Sequence, residues 1–149
     1  MSVFDQLKSE NAKILSTINK LEDTFASEAE KREELMDEAK RFIQTRNMVE
    51  ENYLYPLLIM EDETQELAIL SREEIREIEN VLEELENMDT NLKQFEYSVE
   101  TLHGHLSEHI EREEEDLYHQ ASLVIDDEQE ELLEKQVSQA ISNLESRFQ

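Results

Sequence analysis

Two stretches of this chain could do chemistry, and they nearly repeat. RNMVEENYLYP runs from Arg46 to Pro56, and HIEREEEDLYH runs from His109 to His119. Each begins with Arg or His, places two glutamates as its fifth and sixth residues, and continues to Leu-Tyr, at an offset of 63 residues (109 − 46). Residues four apart on a helix lie one above the other. His109-x-x-x-Glu113 can therefore aim an imidazole and a carboxylate at one buried object, and that pairing suits iron, manganese or zinc. Arg46-x-x-x-Glu50 aims a guanidinium instead, which stays protonated and does not ligate metal. One copy thus reads as metal ligation and the other as an internal ion pair. The alternative for His109 and Glu113 is a satisfied polar pair in the core or at its edge.

Two further spacings carry less weight. His105 stands one turn before His109, but it falls off the apolar line, which places it on the surface. Glu100-x-x-His103 has the Glu-x-x-His spacing of carboxylate di-iron bundles, yet a single copy among 39 acidic residues is readily a coincidence.

These residues need helices to position them. Phe4, Leu7, Asn11, Ile14, Ile18, Leu21 and Phe25 advance in steps of three and four, which predicts a first helix over Ser2 to Phe25 with Asn11 as the polar member of its seam. Leu35, Ala39, Phe42, Arg46, Val49, Glu50 and Tyr53 share a face of a second helix, Glu28 to Tyr55, with Pro56 ending it or starting the next turn. Leu67, Ser71, Ile75, Ile78, Leu82 and Leu85 make a third stripe after a connection at Glu61 to Thr64, with Arg72, Arg76 and Val81 on its flank. ENMDTN breaks the second half, and Asp89 or Thr90 is the candidate N-cap. Leu92, Phe95, Val99, Leu102, Leu106, His109, Ile110, Glu113 and Leu117 define a fourth helix, Leu92 to Gln120, which tolerates Gly104 at about 1 kcal/mol relative to Ala. A last helix, Asp127 to Arg147, carries Leu132, Leu133, Val137, Ile141 and Leu144. The expected architecture is all-α: an antiparallel up-down four-helix bundle with an additional C-terminal helix, one domain over residues 1–149. Asn11-x-x-Ile14 resembles Arg72-x-x-Ile75 at an offset of 61 (72 − 11), so the bundle reads as two matching hairpins around a shared polar centre.

Composition agrees and excludes several functions. One glycine, one proline and 36% charged residues favour helix over sheet and leave no glycine loop for phosphate. The formal net charge of −25 repels nucleic acid and anionic lipid, and suits cations or a basic protein. Without cysteine there is no disulfide, thiol nucleophile or zinc-thiolate site. No apolar run approaches the ~18 residues of a membrane span, and MSVFDQLKSE lacks the features of a signal peptide, so the cytoplasm is the expected location.

The four polar segments, in order, resemble the hemerythrin-like family, also called the HHE cation-binding domain. DQLKSENAKI (Asp5 to Ile14) resembles its first-helix Asp-His-x-x-Ile segment, and RNMVEENYLYP its His-x-x-x-Glu-Glu-x-x-Leu-Tyr-Pro. SREEIREI (Ser71 to Ile78) resembles its Glu-His-x-x-Ile, and HIEREEEDLYH its last His-x-x-x-Glu run. The resemblance implies a bundle that holds two irons through several histidines and two bridging carboxylates, in proteins that bind oxygen, sense oxygen or redox state, or handle iron. Carried over by position, the carboxylates are Glu50 and Glu113, with Glu114 as an alternate, and the one retained histidine is His109. The other histidine positions carry Asn11, Arg46, Arg72 and Arg76. Glu10, Glu51 and Glu73 adjoin them, but a one-residue step turns a side chain by ~100° away from the centre. The expectation is a domain that has lost the di-iron site, with an Arg/Glu/His network in place of metal and a structural, interaction or regulatory role. No cofactor and no enzymatic activity are expected; the alternative is non-heme iron, mono- or dinuclear, held by His109, Glu113, Glu50 and nearby acids. Partners reduce to an unidentified protein or a second copy joined through the last helix.

Overall fold

The computed structural model describes residues 2–147, with side chains through Leu144. Its helices are α1 (Val3–Glu22), α2 (Ala29–Val49), α3 (Tyr55–Ile59), α4 (Gln65–Glu86), α5 (Lys93–Arg112), α6 (Tyr118–Val124) and α7 (Asp127–Arg147). α3 prolongs α2, and α6 prolongs α5, each through a five-residue π-turn: Glu50–Leu54 in the first case and Glu113–Leu117 in the second.

Cross-helix contacts fix the topology. Thr24 and Asn11 of the first hairpin bond Arg32 and Arg46, so α1 and α2 run antiparallel. Glu74 and Glu77 pair with His109 and His105, which makes α4 and α5 antiparallel as well. Glu22 meets His103 while Asn11 meets Glu114, and Lys40 meets Glu86 while Asn47 meets Glu79. Every neighbouring pair around the ring α1–α2–α4–α5 is therefore antiparallel, as the sequence predicts for an up-down bundle. α7 lies outside it, against α1 and α2.

The stripes bury as their spacing requires, with exceptions at the ends and at Phe42, which is partly buried while its neighbour Ile43 is fully buried. α1 stops at Glu22, where the Thr24 hydroxyl donates to the Leu21 carbonyl and turns the chain; Phe25 falls beyond the helix and is exposed. Neither Asp89 nor Thr90 caps α5. Leu92 occupies that position, half exposed and without a side-chain cap, and the Thr90 carbonyl accepts from Arg32 instead. Leu132 faces outward, one residue of rotation away from buried Leu133, so α7 spends Leu133, Val137 and Ala140 on its own bundle. Its start is closed by a reciprocal cap: the Gln129 amide donates to the Asp126 carboxylate, and the Gln129 side chain accepts from the Asp126 amide.

The core divides in two. One apolar cluster holds Leu7, Val49, Leu54, Leu58, Ile75 and Leu117 with the anchors of α7. The other holds Ile14, Ile18, Ile43, Ile78, Leu102, Leu106 and Ile110. Asn11, Arg46, Glu50, His109 and Glu113 are all buried; Asn11, Arg46 and Glu113 fall in sequence between a member of one cluster and a member of the other, and Glu50 and His109 sit within a turn of that change, so a polar layer crosses the bundle between the two clusters.

Gly104 has open space where a Cβ would be built. Gly104→Ala should stabilise the protein by about 0.5–1 kcal/mol, read as a higher urea midpoint at unchanged slope.

Candidate functional site

Both π-turns begin on the buried glutamate of a repeat and end just before its tyrosine. The amide of Tyr55 donates to the carbonyl of Glu50, and that of Tyr118 to the carbonyl of Glu113, each five residues back. Pro56 follows the first turn, but His119 follows the second, so proline is not the shared cause. What the two copies share is the pair of side chains the turn presents inward. The Tyr55 hydroxyl donates to Glu113 Oε1 at 3.1 Å, and the Tyr118 hydroxyl to Glu50 Oε2 at 3.4 Å. Each hairpin thus supplies a tyrosine to the other hairpin's glutamate. Inserted π-turns of this kind recur where a helix must re-aim side chains at a functional centre.

Arg46 occupies the middle. Its Nη2 lies 2.6 Å from Glu50 Oε1 and 2.7 Å from Glu113 Oε1. Only the contact to Glu113 has hydrogen-bond alignment; Glu50 Oε1 makes no aligned bond. Nε of Arg46 donates to Asn11 Oδ1, and Nη1 to Asn47 Oδ1 at 3.3 Å. His109 Nε2 touches Glu113, and its Nδ1 meets Glu74 Oε1 at 3.0 Å; Arg112 holds the other oxygen of Glu74. Asn11 Nδ2 reaches Glu114 at 3.5 Å, so the alternate carboxylate lies at the rim of the centre.

The electrostatics separate the two glutamates. Burial opposes charge on Glu113, but Arg46 and His109 outweigh it and hold its carboxyl well below the usual range. Glu50 has no second cation; burial, then the Glu113 charge and hydrogen bond, prevail over Arg46 and push it well above that range. Burial also opposes charge on His109, but Glu113 and Glu74 prevail over it and over nearby Arg46, so its pKa ends above the ordinary 6.5. Burial followed by the two glutamates raises Tyr55 and Tyr118, which remain hydroxyl donors. The surroundings thus favour the ionised form of Glu113, between Arg46 and His109, and the protonated form of Glu50 beside it.

Of the candidates named from sequence, Asn11, Arg46, Glu50, His109 and Glu113 converge. Arg72 and Arg76 do not join them. Arg72 is partly buried and Arg76 exposed, and neither has a hydrogen bond or ion pair with Glu50 or Glu113 among the described residues. Their charges act on Glu51, on the flank of the bundle, because Ser71 and Ile75 take the inward face of α4. Glu10 pairs with Lys13, His103 with Glu22, and His105 with Glu77; Glu73 and Glu100 are exposed. Sequence reasoning missed Glu74, Asn47, Tyr55 and Tyr118. The tyrosines were detectable, since both copies of the repeat place them five residues after the glutamate. Glu74 and Asn47 have no such signal.

Glu50, His109 and Glu113 each offer one ligand atom, and the three lie within 4.8 Å of one another. The model of one protein family, described as the hemerythrin HHE cation-binding domain, matches residues 2–121. That span ends within α6, so α7 lies beyond it. No curated protein and no solved structure gives a significant match.

Arg46→Ala leaves Glu113 buried and short of its main counter-charge, so it should cost about 3–5 kcal/mol in chemical denaturation. Glu50→Gln keeps a neutral, hydrogen-bonding side chain and should shift stability at pH 7 by less than about 1 kcal/mol, whereas Glu113→Gln should cost about 3 kcal/mol or more. The pH dependence has two arms. Glu113, depressed, contributes stability above the unfolded carboxylate range and loses it as pH falls through its folded pKa. Glu50 and His109, raised, contribute below their unfolded values near 4.5 and 6.5 and lose it as pH rises. Melting curves over about pH 3–9 should therefore show Glu113→Gln removing the acid-side loss and Glu50→Gln reducing the alkaline-side loss.

Proposed function

The chain belongs to the hemerythrin HHE cation-binding family, and from that premise we propose that it serves as a helical domain of this fold without the family's di-iron centre, in a structural, interaction or regulatory role. One observation carries the reading: the Arg46 guanidinium stands between the two carboxylates that would bridge the metals. Arginine keeps its proton in proteins, and here burial opposes the charge while Glu50 and Glu113 more than restore it, raising the pKa further. The remaining donor set does not fit two irons. Of the family's histidine positions only His109 is a histidine; the others are Asn11, Arg46, Arg72 and Arg76. A cation fixed by the fold takes over the neutralising task a metal would have, so no step of redox or oxygen chemistry is assigned to this chain. With 39 acidic against 14 basic residues, the partner this surface suits is a protein with a basic face.

The Glu50–His109–Glu113 triad favours a second reading, one ion held by these three ligands. It requires Arg46 to vacate the centre and leave its hydrogen bonds to Asn11, Asn47 and Glu113.

Metal analysis of protein purified without chelator, together with ultraviolet–visible spectra in air, separates the two. The first reading expects iron well below one atom per chain and no oxo-iron absorption, before or after anaerobic incubation with ferrous iron. Stoichiometric iron, lost in Glu113→Ala, would establish the second.

A further inference from the structure

The end of the bundle away from α3 and α6 is clamped, and it exposes apolar side chains. Arg32 donates to the Thr24 hydroxyl and carbonyl and to the Thr90 carbonyl, so the α1–α2 and α4–α5 connections are held together there. Phe25 follows Thr24 and is 73% exposed. Its backbone is nevertheless fixed on both sides by Glu28. The Phe25 amide donates to the Glu28 carboxylate, and the Phe25 carbonyl accepts from the Glu28 amide, each at 2.9 Å. Leu92, 48% exposed, lies two residues past Thr90, and Tyr97, also exposed, follows near the start of α5.

Leu92 breaks a local rule. It has the extended backbone of an N-cap, φ −81° and ψ 147°, yet its side chain makes no cap hydrogen bond, where Ser, Thr, Asp or Asn would be favoured. Departures of this kind are expected where function rather than stability sets the residue. Near it, a recess of about 320 Å³ is lined by buried Met36, Leu85 and Phe95 and by exposed Glu33, Asp37 and Glu86. Lys40, the basic side chain in that lining, is already paired with Glu86. A second recess, also reaching Phe95, combines buried Leu21 and Val99 with exposed Glu22, Glu96 and Glu100. Apolar floor and acidic rim thus recur around one rigid end.

We infer that this end of the bundle is a docking surface for a basic amphipathic helix of another protein, with Phe25 and Leu92 as fixed apolar contacts and the acids of the two recesses as a charged rim. The inference deepens the interaction role proposed above and rests on it. A helix is commonly recognised by apolar anchors laid into a groove, and acids around an apolar centre steer a basic partner in and reject an acidic one. A second copy of this chain would bring the same acids to the contact, which a net charge of −25 opposes. No segment of the chain itself serves, because its 14 basic residues stand singly or in pairs and form no basic stretch. The Arg32 clamp lowers the cost of binding, since the contacting connections are ordered beforehand.

The test titrates the isotope-labelled full chain with a synthetic leucine–lysine helix, leucines on one face, and with a lysine–serine peptide of equal charge. The expected result is tighter binding of the leucine–lysine helix, with amide shifts centred on Phe25, Leu92 and the residues around them. Phe25→Ser and Leu92→Ser should each weaken it about 10-fold. Met60→Ser and Leu123→Ser, exposed at the other end, should leave it unchanged. Leu92→Ser also supplies the missing cap, so its urea midpoint should hold or rise while its affinity falls, a combination that loss of structure would not produce. Equal binding of the lysine–serine peptide, shifts spread over the whole acidic surface, or no binding overturns the inference. So does self-association of the parent in sedimentation that Leu92→Ser abolishes, which would assign the surface to a second copy. Iron in the purified parent bears on the preceding reading alone, because these variants lie outside the buried layer.

Discussion

One guanidinium facing two buried carboxylates is the constraint on which the rest of this structure depends. Removing two acids from water is costly, and a single arginine can neutralise one of them. The bundle meets this by making the acids unequal. Glu113 takes the aligned bond from Arg46, the contact with His109 and the hydroxyl of Tyr55, and stays ionised. Glu50 has only a charge contact and a longer bond from Tyr118, and burial raises its pKa. The two apolar clusters on either side exclude the water that would otherwise screen these interactions, which is why their geometry matters so much.

The inequality is written into an otherwise repeated sequence. Two copies of one helical segment, each with a glutamate, a π-turn and a crossing tyrosine, would give a symmetric centre if their first residues matched. They do not: one is Arg46 and the other His109. Arginine reaches past its own helix to both glutamates, whereas the shorter histidine reaches Glu113 on one edge and Glu74 on the other. The difference in reach decides which acid is doubly served. It also draws α4 into the layer, because Glu74 is the group that completes His109.

Much of this was legible because it is periodic. The stripes on α1, α2, α4 and α5 follow helical spacing, and their polar members, Asn11, Arg46, His109 and Glu113, interrupt apolar lines at the depth where the layer lies. Periodicity within a helix says nothing of the angle between helices, and the misses arise there. Arg72 shares the spacing of a ligand position, but the rotation of α4 turns Ser71 inward and leaves Arg72 on the flank. Glu74 looks like one of many exposed acids until α5 brings His109 beside it. The π-turns were hidden for a different reason. They shift the register of everything after Glu50 and Glu113 by one residue, and no composition rule marks them, since one is followed by proline and the other is not.

The second fully buried arginine shows that burial alone does not explain Arg46. Arg32 closes the opposite end of the bundle, donating to the Thr24 hydroxyl and carbonyl and to the Thr90 carbonyl, with its guanidinium 5.4 Å from the Phe95 ring centroid. Its nearest carboxylate, Glu96, is 3.9 Å away and more than half exposed. Arg32 thus ties the α1–α2 and α4–α5 connections with neutral acceptors, and its charge faces the aromatic ring and an acidic surface. In a chain of net charge −25, a buried cation is favoured by the field of the whole molecule, while a buried anion is penalised by it. Arg32 can therefore stand without an interior counter-ion. Glu113 cannot, and its dependence on Arg46 is what fixes α1, α2 and α5 in one register.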